Sequence, residues 1–116
     1  MHPLDPDFAI PDIVGRQLNL VGVGKWDAQF CFDVTRVIQA MGKVDITTGG
    51  RSVTVFDTQW LDIAPIQQIV GLEVTAWRRL DDHSFSVTLT GGSFITFHTS
   101  DSPYEELIVH PEMWVF

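Results

Sequence analysis

The sequence has too few residues of several kinds to belong to some large classes of protein. Only one of its 116 residues is cysteine, so no intramolecular disulfide can hold the fold together. The 7 lysines and arginines face 15 aspartates and glutamates, which gives a net charge of −8 at pH 7. A chain this acidic is repelled by nucleic-acid phosphates and by anionic membrane surfaces, and both are disfavoured as partners.

Long apolar runs are also missing. No stretch approaches the roughly 18 apolar residues that a membrane helix needs. The first 12 residues carry three prolines and three aspartates instead of the apolar core of a signal peptide. We therefore expect a soluble, cytoplasmic protein in which an extended N-terminal arm, residues 1–12, precedes a single β-rich domain at residues 13–116.

Alternating apolar residues predict β-strands along most of the chain. In the stretch WDAQFCFD, Trp26, Ala28, Phe30 and Phe32 fall on one face, and we expect that face in the core. Cys31 lies between the two phenylalanines, where an isolated cysteine acts as a small buried hydrophobe. The later run TRVIQAMGKVDITT is rich in β-branched residues, with a bulge or bend expected at its central glycine. Glycine pairs at 49–50 and 91–92 predict tight hairpins.

One short helix is predicted at about residues 62–70. Asp62 can cap its start, Pro65 is tolerated in its first turn, and Gly71 suits the position just past its end. A helix of about two turns is marginal by itself, so packing against the rest of the protein must hold it.

An internal repeat is visible on the two sides of this helix. The stretch DIVGRQLNLVG, from Asp12, resembles QIVGLEVTAWR, from Gln68, and the apolar residues of the following strands align with them. The repeat halves run over about 13–42 and 69–99. We predict a mainly β fold of two duplicated antiparallel meanders, packed as a sandwich or rolled into a small barrel.

Histidines and acids near the C-terminus raise the question of a metal site. His98, Asp101 and His110 could supply nitrogen and oxygen ligands, but their spacing matches no zinc motif. Exposed histidines at strand ends are the preferred interpretation. A small-ligand or metal-binding enzyme that uses the region of His98 and His110 is the alternative.

Aromatic residues beside charged ones mark candidate contacts with another protein. Tyr104, Glu105 and Glu106 form an aromatic and acidic patch that suits a basic partner. Trp60 and Trp77 are further candidates, because an exposed tryptophan on a sheet marks an interface.

The order of elements also resembles a family. An IVG strand, an FCFDV strand, a VIQAMGKV strand, a WLD…IVG helix and a SDSPYEELIVH tail resemble small uncharacterised bacterial proteins of a domain-of-unknown-function type. In those proteins a D-x-x-Y-E tail follows the last hairpin, and Asp101, Tyr104 and Glu105 are the matching residues here. The resemblance implies a β fold over nearly the whole chain. Some of the relatives look like immunity proteins, which implies a role in binding another protein.

No phosphate loop, dinucleotide-binding motif or nucleophile elbow occurs in the sequence. We therefore expect a non-enzymatic protein without a cofactor that binds another protein, in an immunity-type or accessory role. The expected partner is either a basic protein or a second copy of the chain, as a homodimer.

Overall fold

Two antiparallel sheets of five strands each pack face to face in the computed structural model, which describes residues 3–116. Sheet 1 contains, in spatial order, β1 (Leu18–Val23), β2 (Ala28–Phe32), β3 (Arg36–Ala40), β9 (Leu107–His110) and β10 (Trp114–Val115). Sheet 2 contains β5 (Arg51–Asp57), β4 (Lys43–Thr48), β8 (Phe94–His98), β7 (Ser84–Leu89) and β6 (Val74–Asp81). Of the two predicted arrangements, the sandwich is confirmed, and residues 3–116 form no closed barrel.

Each sheet combines a meander from one half of the chain with a hairpin from the other half. The meander β1–β2–β3 is extended by the hairpin β9–β10, and the meander β6–β7–β8 is extended by the hairpin β4–β5. The run from Thr35 to Thr48, predicted as one bent strand, is therefore two strands in different sheets. Its glycine, Gly42, lies where the chain crosses between the sheets, because β3 ends at Ala40 and β4 begins at Lys43.

The two repeats make the same backbone hydrogen bonds to each other. The amide of Gly15 donates to the carbonyl of Val74 (2.8 Å), and the amide of Gly71 donates to the carbonyl of Leu18 (2.6 Å). Gly15 and Gly71 share a positive φ, +90° and +94°, which glycine adopts without strain. Gln17 and Glu73 form an antiparallel bridge between these bonds. The two repeats are thus related by an approximate local two-fold symmetry where they meet.

The strand registers repeat as well. In sheet 1 the pairing of β1 with β2 shifts between Leu18 and Leu20, and in sheet 2 the pairing of β6 with β7 shifts between Val74 and Ala76. A bulge of this kind bends a strand and increases its twist, so both meanders curve over the core in the same way.

The N-terminal arm contributes to the core. The first two residues of the predicted arm 1–12 lie outside the described residues; of the others, Leu4, Phe8 and Ile10 are buried. The ring of Phe8 lies at the centre of an aromatic cluster, where edge-to-face contacts add to the area it buries. Its four partners are Trp77, Phe85, Trp114 and Phe116, with ring centroids 5.0–5.9 Å away.

The predicted helix is shorter than expected. The helix α1 (Ile66–Ile69) is a single turn, with Pro65 in the N-cap position. The carboxylate of Asp62 accepts a hydrogen bond from the amide of Ala64 (3.0 Å), so it fixes a turn before the helix instead of capping it. In the first repeat a 3₁₀ turn (Pro11–Ile13) takes the equivalent place. Within residues 3–116 these helices are far too short to cross a bilayer.

Candidate functional site

The segment 99–106, which contains the predicted acidic patch, connects β8 to β9 and so links sheet 2 to sheet 1. In the first repeat, residues 41–42 make the equivalent crossing. The two crossings contact each other, because the amides of Met41 (2.8 Å) and Gly42 (3.2 Å) both donate to the carbonyl of Glu106. The segment is therefore an enlarged version of the first crossing.

Serine hydroxyls hold this segment in a turn. The amide of Ser102 donates to the hydroxyl of Ser100, and the amide of Tyr104 donates to the hydroxyl of Ser102, both at 3.2 Å. The carboxylate of Glu106 accepts hydrogen bonds from the amide and hydroxyl of Ser100, both at 2.8 Å. Burial alone raises the pKa of Glu106, but hydrogen bonds to the carboxylate, including those from Ser100, bring it below the ordinary value. Glu106 thus fastens the segment from within.

Tyr104 and Glu105 are exposed at the outer end of the segment. Tyr104 has 77% of its surface accessible, so its ring does not cover the edge of the core. Of the three residues in the predicted aromatic and acidic patch, only these two face solvent freely.

The structure separates the residues of the alternative metal site. His98 Nε2 lies 2.9 Å from the Asp45 carboxylate on the outer face of sheet 2. Asp101 lies 3.4 Å from His83 Nε2, and His110 belongs to sheet 1. Across residues 3–116, no three His, Cys, Asp or Glu side chains form a group that could hold a metal ion.

Trp60 and Trp77 are partly buried instead of exposed. Trp77 pairs with Val87 across the sheet, on the core side, and its ring packs against Phe8. Trp60 packs edge-to-face on Phe56, with ring centroids 5.3 Å apart, and its Nε1 donates to the carbonyl of Gly24 (3.1 Å). Trp77 therefore supports the core, and Trp60 connects the β1–β2 turn to the segment after β5.

Trp26 was expected in the core, but it is exposed, and it is the only tryptophan classed as exposed among residues 3–116. Strand β2 begins only at Ala28, so the period-two pattern does not extend back to Trp26, which lies in the β1–β2 turn with 66% of its surface accessible. The ammonium group of Lys25 lies 5.2 Å from the centroid of the Trp26 ring, a cation–π contact. The alternation of apolar residues does not show where the turn ends. Gly22, Gly24 and Lys25 do indicate that a turn is present.

Exposed apolar residues lie on the chain around this turn and on the loop that follows β5, and we call them together the turn patch. Trp60 brings the two parts of it together through its hydrogen bond to Gly24. The members of the turn patch are large apolar residues that are half exposed or more: Val23 (56%), Trp26 (66%), Leu61 (55%) and Ile63 (50%). Isolated exposed apolar residues are ordinary, but several that lie on two adjoining loops mark an interaction surface.

Carboxylates flank the turn patch along the chain. Asp27 follows Trp26, Asp57 precedes the loop that contains Trp60, and Asp62 separates Leu61 from Ile63. Lys25 is the one cation among these neighbouring residues. Most of the charged residues next to the patch along the chain are therefore carboxylates.

A cleft of about 200 Å³ lies nearby, between the β4–β5 hairpin and residues 62–68. Pockets that enclose small ligands usually measure about 300–1,000 Å³. Arg51 and Asp62 are among its lining residues, and both are exposed to solvent. The cleft is too small and too open to argue for a small-molecule site.

The strongest charge cluster in the described residues surrounds Arg36, a β3 residue with 2% of its surface accessible. Its Nη2 donates to both carboxylate oxygens of Asp12 and to Glu112, each at 2.8 Å, and its Nη1 donates to the carbonyl of His110 (3.0 Å). The hydrogen bonds from Arg36 hold the pKa of Asp12 and of Glu112 below their ordinary values. The Nε of Arg36 is buried without a hydrogen-bond partner, but both Nη groups are engaged by the carboxylates and the carbonyl. The guanidinium therefore fastens the N-terminal arm to the β9–β10 turn.

Comparison with known proteins adds no further assignment: no family model, no curated protein and no solved structure matches the chain at the significance required. The resemblance to an uncharacterised bacterial family therefore stays a prediction.

Proposed function

We propose that the protein acts by binding another protein, with Trp26 as the central anchor of the contact. The observation that supports this function is the exposure of Trp26 in the β1–β2 turn, which the hydrogen bond from Trp60 to Gly24 joins to the loop that carries the exposed Leu61 and Ile63. Tryptophan is the residue most enriched among those that dominate binding energy, especially when surrounding residues exclude water from it. An immunity-type role is one form of such binding.

The carboxylates next to the patch along the chain suggest the chemistry of the partner. A protein that presents an apolar pocket bordered by lysines or arginines would match Trp26 together with Asp27, Asp57 and Asp62. The net charge of −8 would speed the encounter with such a partner, and the rate would fall as salt is added.

A photo-crosslinking amino acid placed at residue 26, or at residue 104 as a matched control, tests the proposal in the cells that make the protein. Both parent side chains are exposed aromatics, at 66% and 77%. We expect a discrete crosslinked partner from position 26 and not from position 104. Crosslinks from position 104 alone, or from neither position, would contradict the proposal.

A further inference from the structure

The outer face of sheet 2 contains two buried hydroxyl groups that have no hydrogen-bond partner. Ser86 of β7 and Thr96 of β8 pair across the sheet. Their side chains point away from the core, because the residues on either side of each along its strand are completely buried core residues. Ser86 has 7% of its surface accessible and Thr96 has 8%, yet within residues 3–116 neither hydroxyl makes a hydrogen bond. Neither oxygen is completely enclosed, so both remain within reach of a ligand.

The equivalent pair in sheet 1 is satisfied by the chain itself. Because the repeats share their strand registers, Gln29 and Gln39 occupy the places of Ser86 and Thr96. Both glutamine amides donate to the carboxylate of Asp27, at 3.1 Å and 2.9 Å. The two hydroxyls of sheet 2 meet no such acceptor within residues 3–116. Because a buried polar group without a partner costs stability, this pair points to a partner from outside the chain.

The two hydroxyls are the middle of a polar row that crosses all five strands of sheet 2. In spatial order its members are Arg78, Ser86, Thr96, Asp45 and Thr54. At a strand spacing of about 4.8 Å, the row is about 19 Å long. It can therefore contact an extended ligand of several units.

The two ends of the row differ in their hydrogen-bonding groups. The guanidinium of Arg78 is exposed, and within residues 3–116 none of its N–H donors is used. The carboxylate of Asp45 is 19% accessible; it accepts a hydrogen bond from Thr54 (2.6 Å) and lies 2.9 Å from His98 Nε2 and 3.9 Å from Lys43 Nζ. A carboxylate can accept further hydrogen bonds beyond these. The row thus offers donors near one end, acceptors near the other, and between them hydroxyls that do both.

We propose that this row binds a neutral oligosaccharide across the outer face of sheet 2. An anion lying along the row would be repelled by Asp45 and by the net charge of −8, and a cation would be repelled by Arg78. A sugar avoids both penalties, because its hydroxyls can accept from the guanidinium, donate to the carboxylate, or do both with the two hydroxyls of the row. Phe94, the next outward residue along β8 from Thr96, is partly exposed and can pack against the C–H groups of a sugar ring. The row shares no residue with the turn patch, and neither proposal depends on the other.

Binding should be weak, because an open sheet face covers only one side of a ligand, whereas pockets bury about 70–90% of its surface. We expect a dissociation constant of about 0.1–10 mM. Nuclear magnetic resonance of the isotope-labelled full chain tests this by titration with neutral hexasaccharides. The probes are the β-linked hexamers of glucose, xylose, mannose, galactose and N-acetylglucosamine, and the α-linked hexamer of glucose.

At least one of these hexasaccharides should shift the amide signals of Ser86 and Thr96 saturably. The signals of Gln29 and Gln39, at the equivalent places of sheet 1, should not move. If no hexasaccharide gives saturable shifts, or if the shifts lie in sheet 1, the proposed site is overturned. Binding through Trp26 would be unaffected by either result.

Thr96→Val tests the hydroxyl itself, because valine replaces it by a methyl group of similar size. Sugar binding should weaken about fivefold, the effect of losing one hydrogen bond. The free energy of unfolding should not fall, because the hydroxyl has no partner to lose. Gln39→Met is the matched control in sheet 1 and should change the dissociation constant less than about twofold. An affinity that Thr96→Val leaves unchanged would overturn the assignment to this row.

Charge distinguishes a sugar from an anion on the same row. The affinity for a neutral sugar should change less than about twofold between about 20 mM and about 500 mM salt, since salt screens only charges. Arg78→Gln should weaken it less than about tenfold, because the glutamine amide still donates. Sodium acetate and sodium phosphate are the competing probes. Saturable shifts of Ser86 and Thr96 with either salt, and none with the sugars, would overturn the assignment to a neutral ligand.

Discussion

Gln17 and Glu73 pair in an antiparallel bridge at the corner where the two repeats meet. On either side of them, equivalent residues make equivalent backbone hydrogen bonds. The amide of Leu18 donates to the carbonyl of Leu72 (2.9 Å), and the amide of Val74 donates to the carbonyl of Arg16 (2.8 Å). The bridge fixes the starts of β1 and β6, the strands that form one edge of each sheet. The edge strand β1 then leads directly to the turn that carries Trp26.

Replacing Gly15 or Gly71 by alanine should destabilise the protein to a similar extent. No atom lies within 4 Å of a Cβ added at either position, so the cost comes from the positive φ alone, about 1–2 kcal/mol. Urea denaturation measures this loss. Gly22→Ala is the control, because its backbone does not have a positive φ of this kind and the added Cβ makes an ordinary contact. A neutral effect at one of the two repeat glycines would contradict their equivalence.

Removing the carboxylates around Arg36 should cost more than removing the arginine. The double variant Asp12→Asn with Glu112→Gln leaves a buried guanidinium without counter-charges, and we expect a loss on the order of 2 kcal/mol. This is less than for a fully buried pair, because both carboxylates are nearly half exposed. Arg36→Met instead leaves two carboxylates that water can solvate. Urea denaturation of both variants compares the losses, and a larger loss for Arg36→Met would contradict this prediction.

The same cluster should make stability depend on acid pH. Hydrogen bonds from Arg36 lower the pKa of Asp12 and Glu112 in the folded state. Their contribution is therefore complete above the ordinary values of 3.8 and 4.5 and is lost as the pH falls through the lowered values. Urea denaturation between pH 6 and pH 3 should show a shallower decline for Arg36→Met than for the unmodified protein. Equal declines would show that the cluster does not contribute.

Substitution of His98 should affect stability and not metal content. His98 is engaged with Asp45, which also accepts a hydrogen bond from Thr54 (2.6 Å). We expect His98→Ala to lower the free energy of unfolding by about 1 kcal/mol through loss of this contact. The zinc content per protein molecule, measured by elemental mass spectrometry, should be the same for the unmodified protein, His98→Ala and His110→Ala. Stoichiometric zinc that both substitutions abolish would revive the alternative of a metal-dependent enzyme.

Sequence patterns predicted the strands well because alternation reports which side of a strand faces the core. The glycine pairs at 49–50 and 91–92 marked their turns for the same reason that Gly15 and Gly71 mark the repeat: each residue has a positive φ. The exchange of hairpins between sheets was beyond such patterns. Nothing local at Gly42 distinguishes a bend within a strand from a crossing between sheets, since that choice depends on distant partners such as Glu106.

The candidate surfaces were harder to predict than the strands. Trp26 continues the spacing of Phe30, but the pattern cannot show that the strand begins after it. Trp77 was expected outside, but it lies on the core side of β6, where its ring packs against Phe8 of the N-terminal arm and lies beside Phe85.

The most direct test of binding through Trp26 uses the crosslinked partner after purification. Calorimetry measures its affinity for the unmodified chain, for Trp26→Ala and for Tyr104→Ala. We expect Trp26→Ala to weaken binding at least about 30-fold, the effect of losing about 2 kcal/mol from a central anchor. Tyr104→Ala should weaken it less than about threefold, as is usual outside the anchor. The reverse order, or equal affinities for all three proteins, would contradict the proposed function.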